Sequence, residues 1–213
     1  MKTLFTLAAI AAFNLVGAQK TVELKEFKSI AVSGDVELSL IKSSENKAVI
    51  KSDEDELEIQ NEGGALAIQG DGTVVVYYTA AIENISAGAD TVVTSNDAIN
   101  AKEFNLAAAA DSKVKLNLNV KTLNVAAAAD SQVKIDGKAD VMVAAVASDA
   151  QYDVKGLNAN NVQIVLASDA QASITAKGTV DATVASDGML TIYGNPKKVN
   201  EVKSLDAQIV VVK

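Results

Sequence analysis

This 213-residue chain contains no Cys, His or Trp, its 19 basic residues are all Lys, proline occurs once and aromatics make up 4% of the chain. These absences remove most of the usual catalytic vocabulary. Without Cys or His there are no thiolate nucleophiles, no imidazole acid–base pair and no zinc site of the common Cys/His type, and without Arg there is no bidentate phosphate clamp. A net charge of −8 and a pI near 4.6 disfavour nucleic acid or an anionic membrane as partner. Lacking Cys, the chain carries no disulfide signal of its compartment. What it has in quantity is Ala, Val, Ile and Leu, enough over this length for one domain with a real core.

The first residues, "MKTLFTLAAIAAFNLVGAQ", place one Lys before an apolar stretch from Leu4 to Val16 and end in small residues at Ala18. That pattern predicts a secretory signal peptide over 1–18, cut before Gln19, and an exported protein that is periplasmic, on the outer surface or secreted. The apolar stretch is short for a bilayer-spanning helix, and nothing after Ala18 is apolar for long enough to span, so no stable membrane span is expected once the signal is removed.

"AAAADS" occurs at Ala107–Ser112 and again at Ala126–Ser131. Alanine favours helix, but the flanks "SKVKLNLNV" and "SQVKI" alternate polar and apolar residues with the period of a half-buried strand. Asp90, Asp111, Asp130, Asp149, Asp169, Asp187 and Asp206 follow one another at 21, 19, 19, 20, 18 and 19 residues, the period of a solenoid. Three residues after each Asp stand Val93, Val114, Val133, Tyr152, Ala172, Leu190 and Ile209, and seven before, from the second repeat, Phe104, Leu123, Met142, Val162, Val180 and Val199. Two before it stand only small residues, from Gly88 and Ala109 to Ser204, read as corners where bulky side chains would collide between layers. A second corner carries Gly137, Gly156, Gly178 and Gly194.

The outward positions repeat too. Asn84, Asn105, Asn124, Gln163 and Asn200 stand six before the Asp, with Val143 and Asp181 as exceptions, and stacked amides of this kind form hydrogen-bonded ladders. From Thr21 to Tyr78 the repeat is less regular. "IAVSGDVELSL" restates it around Asp35, and the following stretch breaks at Ser52–Asp55, at Asn61–Gly64 and at Gly70–Gly72. Residues 19–80 are therefore expected to form an irregular β cap with the first coils and 81–213 the regular solenoid, together one all-β domain.

The opening "FKSIAVSGDVELSL", the hairpin "LEIQNEGGALAI" and the closing "GMLTIYGNPKKVNEVKS", taken in order, resemble the GIN domain, the putative auto-transporter adhesin head domain of bacterial envelope proteins, from Phe27 to Val212. Members usually carry Ser-Gly-Ala or Ser-Gly-Ser at the corners. This chain keeps related forms at Ser33-Gly34 and Gly88-Ala89 and departs from them with Ala-Ala-Asp or Ala-Ser-Asp elsewhere. The resemblance implies a right-handed parallel β-helix and export, and it brings no catalytic residues.

Three function classes follow. The first is a non-catalytic, adhesin-like or envelope-organising module without cofactor, which binds a surface protein or glycan, or a second copy, through the small-residue face at Ala107–Ala110, Ala126–Ala129 and Ala145–Ala147. The second is a polysaccharide-acting β-helix enzyme, which needs a pair of carboxylates set beside aromatic platforms that this chain scarcely has. The third is a calcium-stabilised solenoid, with the column Asp111, Asp130, Asp149, Asp169 and Asp187 as ligands. One Asp per coil fits a structural Asx turn, with the carboxylate accepting backbone N–H bonds at the corner, better than a calcium site.

Overall fold

A computed structural model describes residues 20–51 and 57–212. The expected signal peptide and the expected break at Ser52–Asp55 lie outside the described residues. Among the described residues there is no helix, and none is therefore long and apolar enough to cross a membrane. The described residues form fifteen strands, which run as β1 Lys20–Glu23, β2 Ser29–Lys42, β3 Lys47–Ile50, β4 Glu58–Glu62, β5 Ala65–Tyr78, β6 Asn84–Ala87, β7 Val92–Ala108 and β8 Lys113–Ala127. The rest are β9 Gln132–Val146, β10 Gln151–Leu166, β11 Gln171–Ala176, β12 Thr179–Val184, β13 Met189–Tyr193, β14 Lys198–Lys203 and β15 Gln208–Val211.

The strands stack as parallel coils of about 19 residues in a β-solenoid of about seven turns. Strands β7, β8, β9 and β10 pair parallel in sequence, after which the coil divides into β11–β13–β15 on one face and β12–β14 on another. The register follows the Asp spacing. Val93, Val114, Val133, Tyr152, Ala172, Leu190 and Ile209 pair in succession, and so do Phe104, Leu123, Met142, Val162, Val180 and Val199. Both columns are buried except at their C-terminal members, Val199 and Ile209, which are half-buried. Alternation of side chains puts these residues into one continuous core and sends their neighbours to the surface.

Each Asp corner is a tight turn rather than the start of a helix. Ala110 and Asp111 both have positive φ, +51° and +61°, and the Ser112 N–H donates to the Ala109 carbonyl at 3.2 Å. Two consecutive left-handed residues closed by such a bond make a type I′ turn. The same pair of positive φ values recurs at Ala89-Asp90, Ala129-Asp130, Ser148-Asp149, Ser168-Asp169 and Ser186-Asp187. Successive turns are tied by the backbone, the Asp111 N–H donating to Ala129 O at 3.0 Å and the Asp130 N–H to Ser148 O at 3.0 Å.

The small residues are required at a different position from the one expected. Ala128 and its equivalents two before the Asp are half-buried or exposed. The enclosed small column lies one residue after the Asp, where Thr91, Ser112, Ser131, Ala150 and Ala170 are all fully buried. In the same column at Gly188, a Cβ would come within 2.9 Å of Val184 Cγ1. The chain turns inward immediately after the left-handed pair, so this residue, and not the one that precedes the turn, points between layers.

At the N-terminal end the irregular stretch makes a cap. Strands β1, β3 and β5 pair antiparallel in that order, and β4 folds back on β5 through Gly63 and Gly64, both with positive φ, as a two-residue hairpin. The expected break at Gly70–Gly72 is a bend inside β5, which stays in register with β2 from Ser29–Ala65 to Lys42–Tyr78. Asp35 and Asp71 pair there, so the repeat includes a coil that the Asp spacing alone does not reveal.

Candidate functional site

The outward residues six and four before the Asp form a continuous face. On its amide column, Asn84 Nδ2 donates to Ser29 Oγ at 3.0 Å, Asn105 Nδ2 to Asn84 Oδ1 at 2.9 Å and Asn124 Nδ2 to Asn105 Oδ1 at 2.8 Å. Val143 interrupts the ladder, and farther along Asn200 Nδ2 donates to Asp181 Oδ1 at 2.6 Å. Two residues along each strand lie Ala31, Ser86, Ala107, Ala126, Ala145 and Val165, paired coil to coil. Their small side chains leave a groove of about 620 Å³ beside the ladder, and no charged side chain lines it.

This groove is the narrow part of the expected alanine face. Ala107, Ala126 and Ala145 point outward into it, whereas Ala108 and Ala127 are buried in the core and Ala110 and Ala129 sit in the turns. The valines complete it: Val143 and Val165 are 37% and 43% exposed on a face where Lys or Asn would ordinarily stand. In the sequence Val143 reads only as an exception to the amide column, and Val165 lies in the lane beside it, which the repeat does not single out.

The Asp column falls elsewhere. Asp111, Asp130, Asp149, Asp169 and Asp187 are all exposed along one edge of the solenoid, one per coil. Their left-handed φ is the feature that selects them, since short polar side chains tolerate αL better than most L-residues. The Asx turn expected at these corners is not what closes them. The bonds are backbone to backbone, and none of these carboxylates takes part in a side-chain hydrogen bond or ion pair among the described residues. Among the described residues no group of three or more His, Cys, Asp or Glu is placed to hold a metal ion. Tyr152 points inward, as its column requires, and its hydroxyl donates to Met142 Sδ at 3.2 Å. Complete burial raises its pKa far above the ordinary value of 10.0.

The model of the family described as putative auto-transporter adhesin, head GIN domain, matches residues 26–196. The chain belongs to this family. A crystal structure of a putative adhesin from Bacteroides fragilis superposes on this GIN domain with a TM-score of 0.85 at 16% identity, covering 92% of this chain and 96% of that one. A putative lipid binding protein from Parabacteroides distasonis follows at 0.73 and 14% identity, and a putative adhesin from Parabacteroides merdae at 0.63 and 14%, both with the same coverage of 92% and 96%. At such identities the likeness is one of fold. No curated protein sequence matches the chain.

Proposed function

We propose that this GIN domain is an exported, non-catalytic, adhesin-like module that holds a protein partner on its uncharged groove. The observation that carries this reading is the groove itself: an apolar floor of Ala107, Ala126, Ala145 and Val165, bordered by a ladder of amides whose hydrogen bonds already hold them in place. Interface centres are depleted of charge, and apolar patches of this kind on an otherwise polar surface mark contact sites. A neutral face also lets a partner approach a molecule of net charge −8. The signal-peptide pattern at 1–18 supports export, and the shared sheet supports residues 19–80 and 81–213 acting as one domain.

The test is saturable binding of the labelled chain to isolated bacterial envelopes. Binding is expected to fall after protease treatment of the envelopes, and with Ala126→Glu, at unchanged melting temperature. Equal binding by wild type and an intact Ala126→Glu variant defeats the groove assignment. A second reading, an acyl chain in the groove, is favoured by its apolar lining and by the name given to the Parabacteroides distasonis neighbour. Under it, protease leaves binding intact, and vesicles of phosphatidylethanolamine and phosphatidylglycerol retain the chain.

A further inference from the structure

On another face of the coil, beside the glycine corner, two outward lanes run across five successive layers. One lane is Asn100, Asn119, Lys138, Asn158 and Thr175, each paired with the next. The other, two residues on, is Lys102, Lys121, Asp140, Asn160 and Lys177. Two adjoining hollows of about 590 and 680 Å³ lie along them, sharing Asn119, Lys138 and Asp140. The chain between the lanes, with Val120 and Ala139 turned into the core, forms the floor.

The charge of this strip is opposite to that of the molecule. Four lysines, Lys102, Lys121, Lys138 and Lys177, stand on it against one carboxylate, Asp140, in a chain of net charge −8. All four are exposed, and none forms an ion pair among the described residues, although acids are in excess. Lys102 and Lys121 occupy adjacent coils, roughly 4.8 Å apart along the stack, so they repel each other where the fold gains nothing from the pairing.

The neighbours of the lysines define the ligand. Carboxamides offer donor and acceptor together, which suits hydroxyl groups, and each ammonium takes a carboxylate as a point charge. Asn119 Nδ2 bonds Asn100 Oδ1 at 2.7 Å and Asn160 Nδ2 bonds Asp140 Oδ1 at 3.3 Å, so these amides are held in place before a ligand arrives. No aromatic ring and no Arg lines the strip, so it has neither the stacking platforms nor the guanidinium forks of a nucleic-acid site. From this we infer that the strip binds an acidic polysaccharide, with Asn100, Asn119, Asn158 and Asn160 on its hydroxyls and Lys102, Lys121, Lys138 and Lys177 on its carboxylates. The site is separate from the apolar groove and does not depend on it.

Affinity electrophoresis of the whole chain tests this, in gels that contain polygalacturonate, neutral dextran or duplex DNA. Retardation is expected with polygalacturonate alone, weakening as salt is raised. The pair Lys121→Gln and Lys138→Gln should lower affinity about tenfold or more, the scale of losing a hydrogen bond to a charged group. Asn119→Ala with Asn158→Ala should lower it as well, and Lys113→Gln with Lys115→Gln on a different face should not; melting temperatures confirm that each variant is folded. The inference is overturned if polygalacturonate does not retard the chain, if DNA retards it equally, or if the Asn variants bind as wild type, which leaves only a cationic patch.

Discussion

Thr91 and Ser131 occupy the same buried column two coils apart, yet only Thr91 has a partner: its hydroxyl donates to the Gly88 carbonyl at 2.7 Å, while the Ser131 Oγ makes no hydrogen bond. Ser112, in the coil between them, is likewise buried and unpaired. Ala150 and Ala170 continue the column without a hydroxyl, so a methyl group fits there. Replacing Ser131 by Ala removes a buried polar atom at no packing cost and is expected to stabilise the fold by about 1 kcal/mol. A thermal melt that moves downward counts against this.

The left-handed turns make an unusual forecast for glycine. Ala129 sits at φ +50°, where an L-residue is strained by roughly 1–2 kcal/mol, more than the ~0.5–1 kcal/mol of chain entropy that glycine adds to the unfolded state. Ala129→Gly should therefore raise the midpoint of denaturant unfolding. At the next residue, Asp130→Asn should be neutral to slightly stabilising, because Asn adopts the same conformation and one charge leaves the column. Wild type and this variant should melt alike in millimolar calcium and in chelator. A calcium-dependent rise for wild type would show the Asp column to be a cation site, since a ligand that binds only the folded state raises the midpoint.

Two substitutions separate the enclosed small column from the open one. Ala150→Leu forces a large side chain between layers and is expected to cost about 1–3 kcal/mol, whereas Ala128→Leu, half-buried before the turn, should cost clearly less. Equal losses would remove the distinction. At the second corner Gly137 has φ +118°, and a Cβ there would overlap the Leu118 carbonyl oxygen, so Gly137→Ala should be worse than either when all three are compared by urea titration.

These contrasts show where the sequence was readable. The columns three after and seven before each Asp were legible because Val, Leu and Ile recur there, and the amide ladder because Asn recurs. The corner geometry was not, since Ala-Asp and Ser-Asp lack the Asn-Gly signature that ordinarily announces two left-handed residues. The column after the Asp mixes Thr, Ser, Ala and Gly, so its burial had no compositional mark. The Lys strip escaped for a different reason. Counted back from the following Asp its lanes do keep step from Asn100 to Asn158 and from Lys102 to Asn160, but Asn, Lys and Asp alternate in them, so no single residue type marks either lane.

Tyr152 should make the fold sensitive to alkali. Its folded pKa is raised by burial, so the phenol stays protonated in the native chain after it has begun to ionise in the unfolded one. Its contribution is thus complete below the unfolded value near 10 and is lost as pH rises beyond it, at about 1.4 kcal/mol per unit. Tyr78, raised first by burial and then by the charge of Asp97, with Ser95 acting the other way, adds in the same direction. Tyr152→Phe keeps the ring and gives up only the contact to Met142 Sδ, so stability near pH 7 should change little. Melting temperatures followed from pH 8 to about pH 12 should then decline less steeply for the variant, with Tyr78 and the Lys28 and Lys47 ammoniums, raised by their hydrogen bonds to Glu83 and Glu45, contributing to the residual slope. Coincident curves would mean that Tyr152 does not carry the alkaline limb.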